Sequence, residues 1–296
     1  MKVFVTGATG FIGSAVVLEL IDSGHQVLGL TRSDAGAQSL AAAGAQVHRG
    51  ELEDIQSLRS GAEAADAVIH TAFNHDFSKF KENCELDRHA IEAIGAVLKG
   101  SERPLIVTSG VAALAEGRAA TEDDPPHPVS DSYPRASEPV ALELLQQGVR
   151  ASVMRLPQVH DTTRQGLVSY LIQLAREKGA SAYIDAGLNR WAAVHRLDVA
   201  RLYRLALEKN VAGARYHAVA EEDVPLRDIA EAIGRGLNVP TVSIAPDTAA
   251  NHFGWLGAFA GMDLWASGAK TQHRLKWNPT GPSLISDLNN MQYHQL

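Results

Sequence analysis

The sequence predicts an α/β fold, a doubly wound parallel sheet with a small lobe added towards the C-terminus. Three observations predict it. Short apolar, β-branched runs alternate with segments of helical spacing from residue 2 to about residue 155, the rhythm of right-handed β-α-β crossovers. Those runs are apolar almost throughout, as strands covered by helices on both faces are. After Pro157 the rhythm loosens, as it would where a lobe is grafted onto the sheet. A chain of 296 residues fits one large unit of this kind.

The elements follow in order. Lys2 to Thr6 is a buried strand closed by glycine. Ile12 to Ser23 places Ile12, Val16 and Leu20 on one helical face, and Gly24 ends it. Val27 to Leu30 is a second strand, Ala37 to Gly44 an alanine-rich helix and Ala45 to His48 a third strand. Ile55 to Ala62 is a short helix, Ala67 to His70 a strand, Asp87 to Lys99 a helix and Pro104 to Thr108 a strand. Pro139 to Gln147 is helical and Ala151 to Arg155 is a sixth strand. Helices are predicted over Leu167 to Lys178, Leu197 to Lys209 and Leu226 to Leu237. Ala115 to Ser132, polar and holding Pro125, Pro126 and Pro128, is a loop with the make-up of a lid.

Composition narrows the function. Apolar residues form 45% of the chain, enough for a sizeable core. The net charge of −7 comes without any basic run, which argues against a nucleic-acid partner. The single cysteine, Cys84, permits no internal disulfide and suits a reducing cytoplasm. No apolar stretch reaches the roughly 20 residues a bilayer span needs, and the first strand starts so near Met1 that no leader is expected. No HxxxH or HExxH pair occurs on a helix, so no metal is expected.

The first strand runs into Thr6-Gly7-Ala8-Thr9-Gly10-Phe11-Ile12-Gly13 and then a helix. In that setting the glycines have separate tasks: Gly7 turns the chain, Gly10 admits a pyrophosphate to the backbone, and Gly13 lets the helix pack closely. The helix N-terminus offers free N–H groups to phosphate, so Thr9, Phe11 and Ile12 join the binding turn. The second strand ends Leu30-Thr31-Arg32-Ser33. Arg32 suits a 2′-phosphate and Ser33 adds a hydrogen bond, so NADP(H) is expected in preference to NAD(H). The competing reading leaves Arg32 in solvent and gives Asp34 the acidic role.

These residues resemble the extended short-chain dehydrogenase/reductases, whose pattern is TGxxGxxG. Gly50-Glu51-Leu52-Glu53-Asp54 resembles the family's G-D-L-x-D and implies that Glu51 and Leu52 lie near adenine. Ala67-Val68-Ile69-His70-Thr71-Ala72 resembles the fourth-strand segment beside the cofactor ribose, which implicates Thr71 and Ala72. Arg155-Leu156-Pro157-Gln158-Val159 resembles the element bordering the nicotinamide and brings in Pro157; Thr108 ends the fifth strand beside it. Val194 to Ala200 and His273 to Pro279 resemble later family elements, with Lys276 where glycine is usual. The resemblance implies a Rossmann unit over about 1–158, a mixed remainder over 159–296 that completes the core and forms a substrate lobe, and a homodimer through a helix bundle.

The departures fall where the chemistry belongs. The usual Y-x-x-x-K is Tyr133-Pro134-Arg135-Ala136-Ser137, with no lysine. Gly110 stands at the usual catalytic serine position, beside Ser109. This is similar to the atypical members of the family, some of which are ketoreductases. Pro134 biases Tyr133 towards extended backbone outside the helix. The candidates to donate to a substrate carbonyl are Ser109, His160 and His195, with a substrate phenol or water as the remaining source; Tyr133, without its lysine, reads as a loop or wall residue that can still hydrogen-bond a substrate. The aromatic segment His252 to Leu256, with Arg190 and Trp191, is weighed between pocket wall and core. The expected function is an NADPH-dependent carbonyl reductase for a bulky apolar or aromatic small molecule. The alternatives are a dinucleotide-binding sensor without turnover and, third, an epimerase or dehydratase.

Overall fold

The computed structural model describes residues 1–112, 114–131 and 133–293. Ser132, the last residue of the predicted loop, lies outside them. The first half runs β1 (Lys2–Thr6), α1 (Phe11–Asp22), β2 (Gln26–Thr31), α2 (Asp34–Ala42), β3 (Gln46–Arg49), α3 (Ile55–Glu63), β4 (Ala67–His70), α4 (Phe80–Leu98), β5 (Pro104–Gly110), α5 (Ser137–Gln146) and β6 (Arg150–Leu156). The second half runs β7 (Gln158–His160), α6 (Val168–Lys178), β8 (Ser181–Ile184), β9 (Arg190–His195), α7 (Arg196–Lys209), β10 (Arg215–His217), β11 (Glu221–Pro225), α8 (Leu226–Leu237), β12 (Thr241–Ile244), α9 (Ala249–Phe253), α10 (Gly257–Ala260), α11 (Ala269–Leu275) and α12 (Leu284–Asn290).

The strands β10-β6-β5-β4-β1-β2-β3 form a seven-stranded sheet in that order, parallel throughout. From β1 the chain winds outward through β2 and β3, then returns to β4 and winds the other way. The reversal between β1 and β4 leaves a crevice at the carboxyl ends of those strands, where such sheets bind ligands. Helices cover both faces. Val16 and Leu20 of α1 pack with Leu202, Tyr203 and Ala206 of α7 on one face. Leu58 of α3, Ile91 and Ile94 of α4 and Leu144 of α5 form the core of the other. A third core, with Ile172, Trp191, Ile229, Ile233 and Leu284, joins α6, α8 and α12 to β8 and β9. The paired strands β8 and β12 and the small sheet β11-β9-β7 belong to this second half; they are too short and irregular to be predicted from apolar periodicity.

The six predicted strands and the predicted helices are present, most with ends shifted by a residue or two. Helix α4 is the larger difference. It begins at Phe80, seven residues before the predicted start at Asp87, behind a single 3₁₀ turn over Phe77–Lys79 that Asp76 caps. Its buried stripe runs Cys84, Asp87, Ile91, Ile94, Leu98; the polar Asn83 and Asp87 hide its first turns from a hydrophobic reading. The stretch 115–131 is a loop, but it is strapped down. Ala120 pairs with Ala266, Arg118 holds Asp124, Lys270 holds Asp123 and Lys81 holds Asp131. Lys276 ends α11 in the left-handed region at φ 49°, the reason glycine is usual there.

Candidate active site

The crevice is built on the turn between β1 and α1. Gly7 sits at φ 66°, and a Cβ on it would lie 2.8 Å from the Ala72 nitrogen and from Thr71 Oγ1. A Cβ on Gly13 would lie 2.0 Å from the Gly7 carbonyl oxygen. The third glycine is thus required by the turn itself. Gly10 caps α1 without any side-chain cap, its N–H donating to the Gly7 carbonyl at 2.9 Å. The helix therefore leaves the first-turn N–H groups, those of Phe11 and Ile12 among them, open to a ligand. Thr71 donates from Oγ1 to the Thr6 carbonyl at 2.7 Å and the Ala72 N–H donates to Thr6 Oγ1, which fixes this segment over Gly7. A cradle closed to side chains and lined by free N–H groups fits a dinucleotide pyrophosphate. The guanidinium of Arg196 lies over the Phe11 ring at 5.1 Å and pairs with Asp161 at 3.2 Å, a cation beside this turn that the sequence reading did not single out.

At the end of β2, Arg32 is exposed and has no carboxylate partner among the described residues. Asp34, the acidic alternative, pairs with Arg49 of β3 at 2.5 Å. Ser33 caps α2, accepting from the Gly36 N–H at 3.1 Å, which leaves its own hydroxyl proton free to donate. Thr9 is exposed on the facing turn; its methyl carbon would lie 3.2 Å from a Cβ placed on Gly36. Glu51 is exposed just beyond β3, and Leu52 is half-buried against the core that α3 and α4 share.

The position where lysine is absent is filled differently. Ser137 is fully buried and donates from Oγ to Asp87 at 2.6 Å. The other Asp87 oxygen lies 3.0 Å from His70 Nε2, and His70 Nδ1 lies 2.9 Å from Thr6 Oγ1. The assignment that satisfies every group has Nε2–H donating to Asp87 and Nδ1 accepting from Thr6. This polar chain braces β1, β4, α4 and α5 beneath the crevice. The neighbouring Glu138 is engaged as well. It takes two hydrogen bonds from the fully buried Arg155, at 2.7 and 2.8 Å, and one from Arg215 at 2.7 Å. Arg155 also reaches the Asp124 carbonyl and the loop strap. The arginine of the R-L-P segment is therefore a structural pin, paired as a buried charge must be.

Among the described residues no hydrogen bond joins Ser109, His160 or Tyr133 to one another. His160 is fully buried, with Nδ1 2.7 Å from Asp287 of α12 and its ring 5.8 Å from that of His195. Asp287 holds Nδ1, while the buried Nε2 has no hydrogen-bond partner among the described residues and lies 3.6 Å from a Glu221 carboxylate oxygen, the surroundings of a packed histidine. His195 itself caps α7, accepting at Nδ1 from the Leu197 N–H. Ser109 is 8% exposed near the end of β5, and its hydroxyl has no hydrogen-bond partner among the described residues. By strand alternation it shares the side of Leu105 and Val107, the side that α5 covers. Tyr133 lies outside α5, half-buried, its ring 4.7 Å from that of His127. Burial pushes its phenol above the ordinary range, and the Arg135 charge pulls the other way. Thr108 points to the opposite face, donating to the His70 carbonyl at 2.6 Å and lying 2.6 Å from the buried Tyr203 hydroxyl. Pro157 is half-buried between β6 and β7.

Beyond this edge lies a cavity of about 410 Å³ lined by His75, Asp76, Phe77, Ser78, Tyr170 and Trp255. Phe77 stacks on Trp255, and Tyr170 stands edge-on to both. Phe73 links this cluster to the crevice through its contacts with His75 and Phe80. The segment 252–256 is divided: Phe253 and Leu256 are core, and Trp255 is 47% exposed at the cavity. Arg190 and Trp191 are structural, Trp191 fully buried and Arg190 stacked on Trp265 and paired with Asp263. Among the described residues no group of His, Cys, Asp and Glu is arranged to hold a metal ion, and no helix is long and apolar enough to cross a membrane.

Comparison with known proteins agrees with this architecture. An uncharacterized protein of Schizosaccharomyces pombe is 48% identical over 99% of this chain and 100% of its own length. The 4-hydroxy-2-methyl-3-oxo-4-farnesyl-3,4-dihydroquinoline-1-oxide ketoreductase of Stigmatella aurantiaca is 26% identical over 86% of this chain and 80% of its own. Among solved structures, the dTDP-glucose 4,6-dehydratase DesIV from Streptomyces venezuelae, with NAD and TYD bound, superposes with a TM-score of 0.77 at 19% identity, covering 100% of this chain and 97% of that one. Residues 3–220 match the sequence pattern of the NAD dependent epimerase/dehydratase family, with the glycine cradle at its start. The chain belongs to that family of NAD(P)-dependent enzymes.

Proposed function

We propose that this protein is an NADPH-dependent carbonyl reductase for a bulky, apolar or aromatic ketone. The observation that carries the reading is the cavity of about 410 Å³ whose aromatic wall, Phe77, Tyr170 and Trp255, suits a flat apolar ligand, with His75, Asp76 and Ser78 as the polar part of its lining. The ketoreductase name of the Stigmatella relative points the same way. The choice of NADPH is supported by Arg32, free of any carboxylate among the described residues, and by Asp34, neutralised by Arg49.

When bound, NADPH supplies the hydride. The chain's own residues do the rest. The turn at Gly7, Gly10 and Gly13 holds the pyrophosphate, while Arg32 and Ser33 hold the 2′-phosphate. Tyr133 precedes α5, the helix that covers the Ser109 side of the sheet, and both hydroxyls are free of partners among the described residues. With the cofactor in place, Ser109 would polarise the carbonyl oxygen and the Tyr133 phenol would give that oxygen its proton. His160 takes no part in this reading, because it is fully buried with Nδ1 held by Asp287.

The test is consumption of NADPH by the purified protein against ketones from small aliphatic to polycyclic aromatic, with NADH run in parallel. Turnover confined to the large members is the expected result. Tight NADPH binding without turnover of any ketone would replace the reductase reading with that of a dinucleotide sensor.

A further inference from the structure

Arg135 shares with the exposed Arg32 the lack of a carboxylate partner among the described residues, but it is half-buried. Arg155 and Arg215 share Glu138, Arg196 pairs with Asp161 and Arg118 with Asp124. Arg135 is half-buried and pairs with no carboxylate among the described residues. The carboxylates nearest in the fold are already engaged, Asp87 by Ser137 and His70 and Glu138 by two arginines.

What holds Arg135 is neutral and one-sided. Its Nε donates to Ser137 Oγ at 3.1 Å, and its Nη2 reaches the Thr108 carbonyl at 3.4 Å. The flat face of the guanidinium lies 4.6 Å from the centre of the Phe73 ring, next to the Thr71–Ala72 segment that roofs Gly7. Nη1 has no hydrogen bond among the described residues. A guanidinium partly withdrawn from water, fixed by stacking and left with open donors, is prepared for a polar ligand that comes and goes. The residue that takes its Nε–H is Ser137, which stands where the lysine is missing.

We propose that Arg135 replaces that lysine, its guanidinium donating to the ribose on the nicotinamide side of the bound dinucleotide and keeping Tyr133 in place as proton donor. The inference rests on the dinucleotide-binding and reductase reading above. A planar, stacked cation two residues after the tyrosine does the work of a flexible one four residues after it. That exchange explains how Ser137 can be given over to Asp87. Tyr133 can then leave the helix, since the cation it needs is no longer one helical turn away.

The experiment measures binding by calorimetry, so that it does not depend on finding a substrate. Arg135→Met and Arg135→Lys are compared with the unaltered protein for NADPH, which carries both riboses, and for 2′,5′-ADP, which lacks the nicotinamide side. Far-ultraviolet circular dichroism and thermal melting serve as folding controls. The expected result is NADPH binding weakened roughly tenfold or more in Arg135→Met, partial recovery in Arg135→Lys, and 2′,5′-ADP unchanged in both. Equal weakening of both ligands would mark Arg135 as a structural residue and overturn the proposal. Unchanged NADPH binding would overturn it too, whether or not the KM for a ketone then rises. Failure of the unaltered protein to reduce any ketone would sink the reductase reading alone, because the ribose contact is read from binding.

Discussion

Ser137 Oγ lies 2.6 Å from the Asp87 carboxylate, a buried hydrogen bond between α5 and α4 at the position where a catalytic lysine would otherwise stand. Asp87 is 2% exposed and also accepts from His70. Replacing it with alanine leaves a buried hydroxyl and a buried ring N–H without an acceptor. We expect Asp87→Ala to cost about 3 kcal/mol of folding stability, and Asp87→Asn less, since an amide oxygen still accepts one of the two. Urea unfolding measures both. A loss in Asp87→Ala too small to resolve would mean that water satisfies the orphaned groups and that the chain from Thr6 to Ser137 is no brace.

The cofactor's second phosphate gives an independent prediction. Arg32 has no competing carboxylate among the described residues, and Asp34 is held by Arg49. Arg32→Ala should weaken NADPH roughly tenfold to a hundredfold, the range of a lost charge-assisted contact, and change NADH little. Titration of nicotinamide fluorescence reads both constants. Equal weakening of the two cofactors would place Arg32 outside the 2′-phosphate site.

The parallel sheet and its glycine turn were legible because each depends on short-range pattern. Lys2–Thr6 and Ala67–His70 are apolar runs of strand length, and Gly7 and Gly13 are forced by contacts within a few residues of the turn or across β4. Tyr133 leaving the helix was legible too, from Pro134 alone. The polar interior was not. Asp87 reads as an ordinary helix residue until it is seen to fall on the stripe of Cys84, Ile91 and Ile94; that misplaced polarity was the available signal. His160 followed a strand in the right order, but Asp287, the partner that closes it off, lies 127 residues away. Nothing local announces such a pair. Arg135 carries no signal in the family pattern, which places its cation at the fourth residue after the tyrosine and not at the second.

His217 predicts an acid limb in the stability profile. Its Nδ1 donates to the Ser267 carbonyl at 2.9 Å and its Nε2 accepts from Arg155 at 3.1 Å. Burial, ahead of the Glu122 charge that opposes it, lowers its pKa from 6.5 to about 4. The sign follows from where each state binds the proton. Between pH 6.5 and 4 the unfolded chain protonates this histidine and the folded one does not, so stability falls as pH drops through that window and is fully present above it. The loss is on the order of 3 kcal/mol when complete. His217→Gln keeps a donor and an acceptor but cannot titrate, so its stability should be flatter between pH 6.5 and 4. Parallel curves for the two proteins, from denaturant midpoints at several pH values, would assign the acid limb to other groups.

On the proposed reading the aromatic wall sets substrate size, and its stacked pair is Phe77 with Trp255. Phe77 precedes α4 and Trp255 lies between α9 and α10, yet their rings stack with centroids 4.6 Å apart and planes 14° from parallel. Trp255 is 47% exposed, so its removal leaves the lobe's core, built on Trp191, Ile229 and Ile233, untouched. A stacked aromatic contact contributes about 1 kcal/mol beyond the area it buries. If a flat substrate takes up the same faces, Trp255→Ala should raise KM for a polycyclic ketone by about tenfold, leave kcat nearly unchanged and leave a small aliphatic ketone unaffected. A lower KM for the large ketone would give the ring pair a different role. The stacked rings would then close the cavity against its ligand, and opening that contact would be the step that admits substrate.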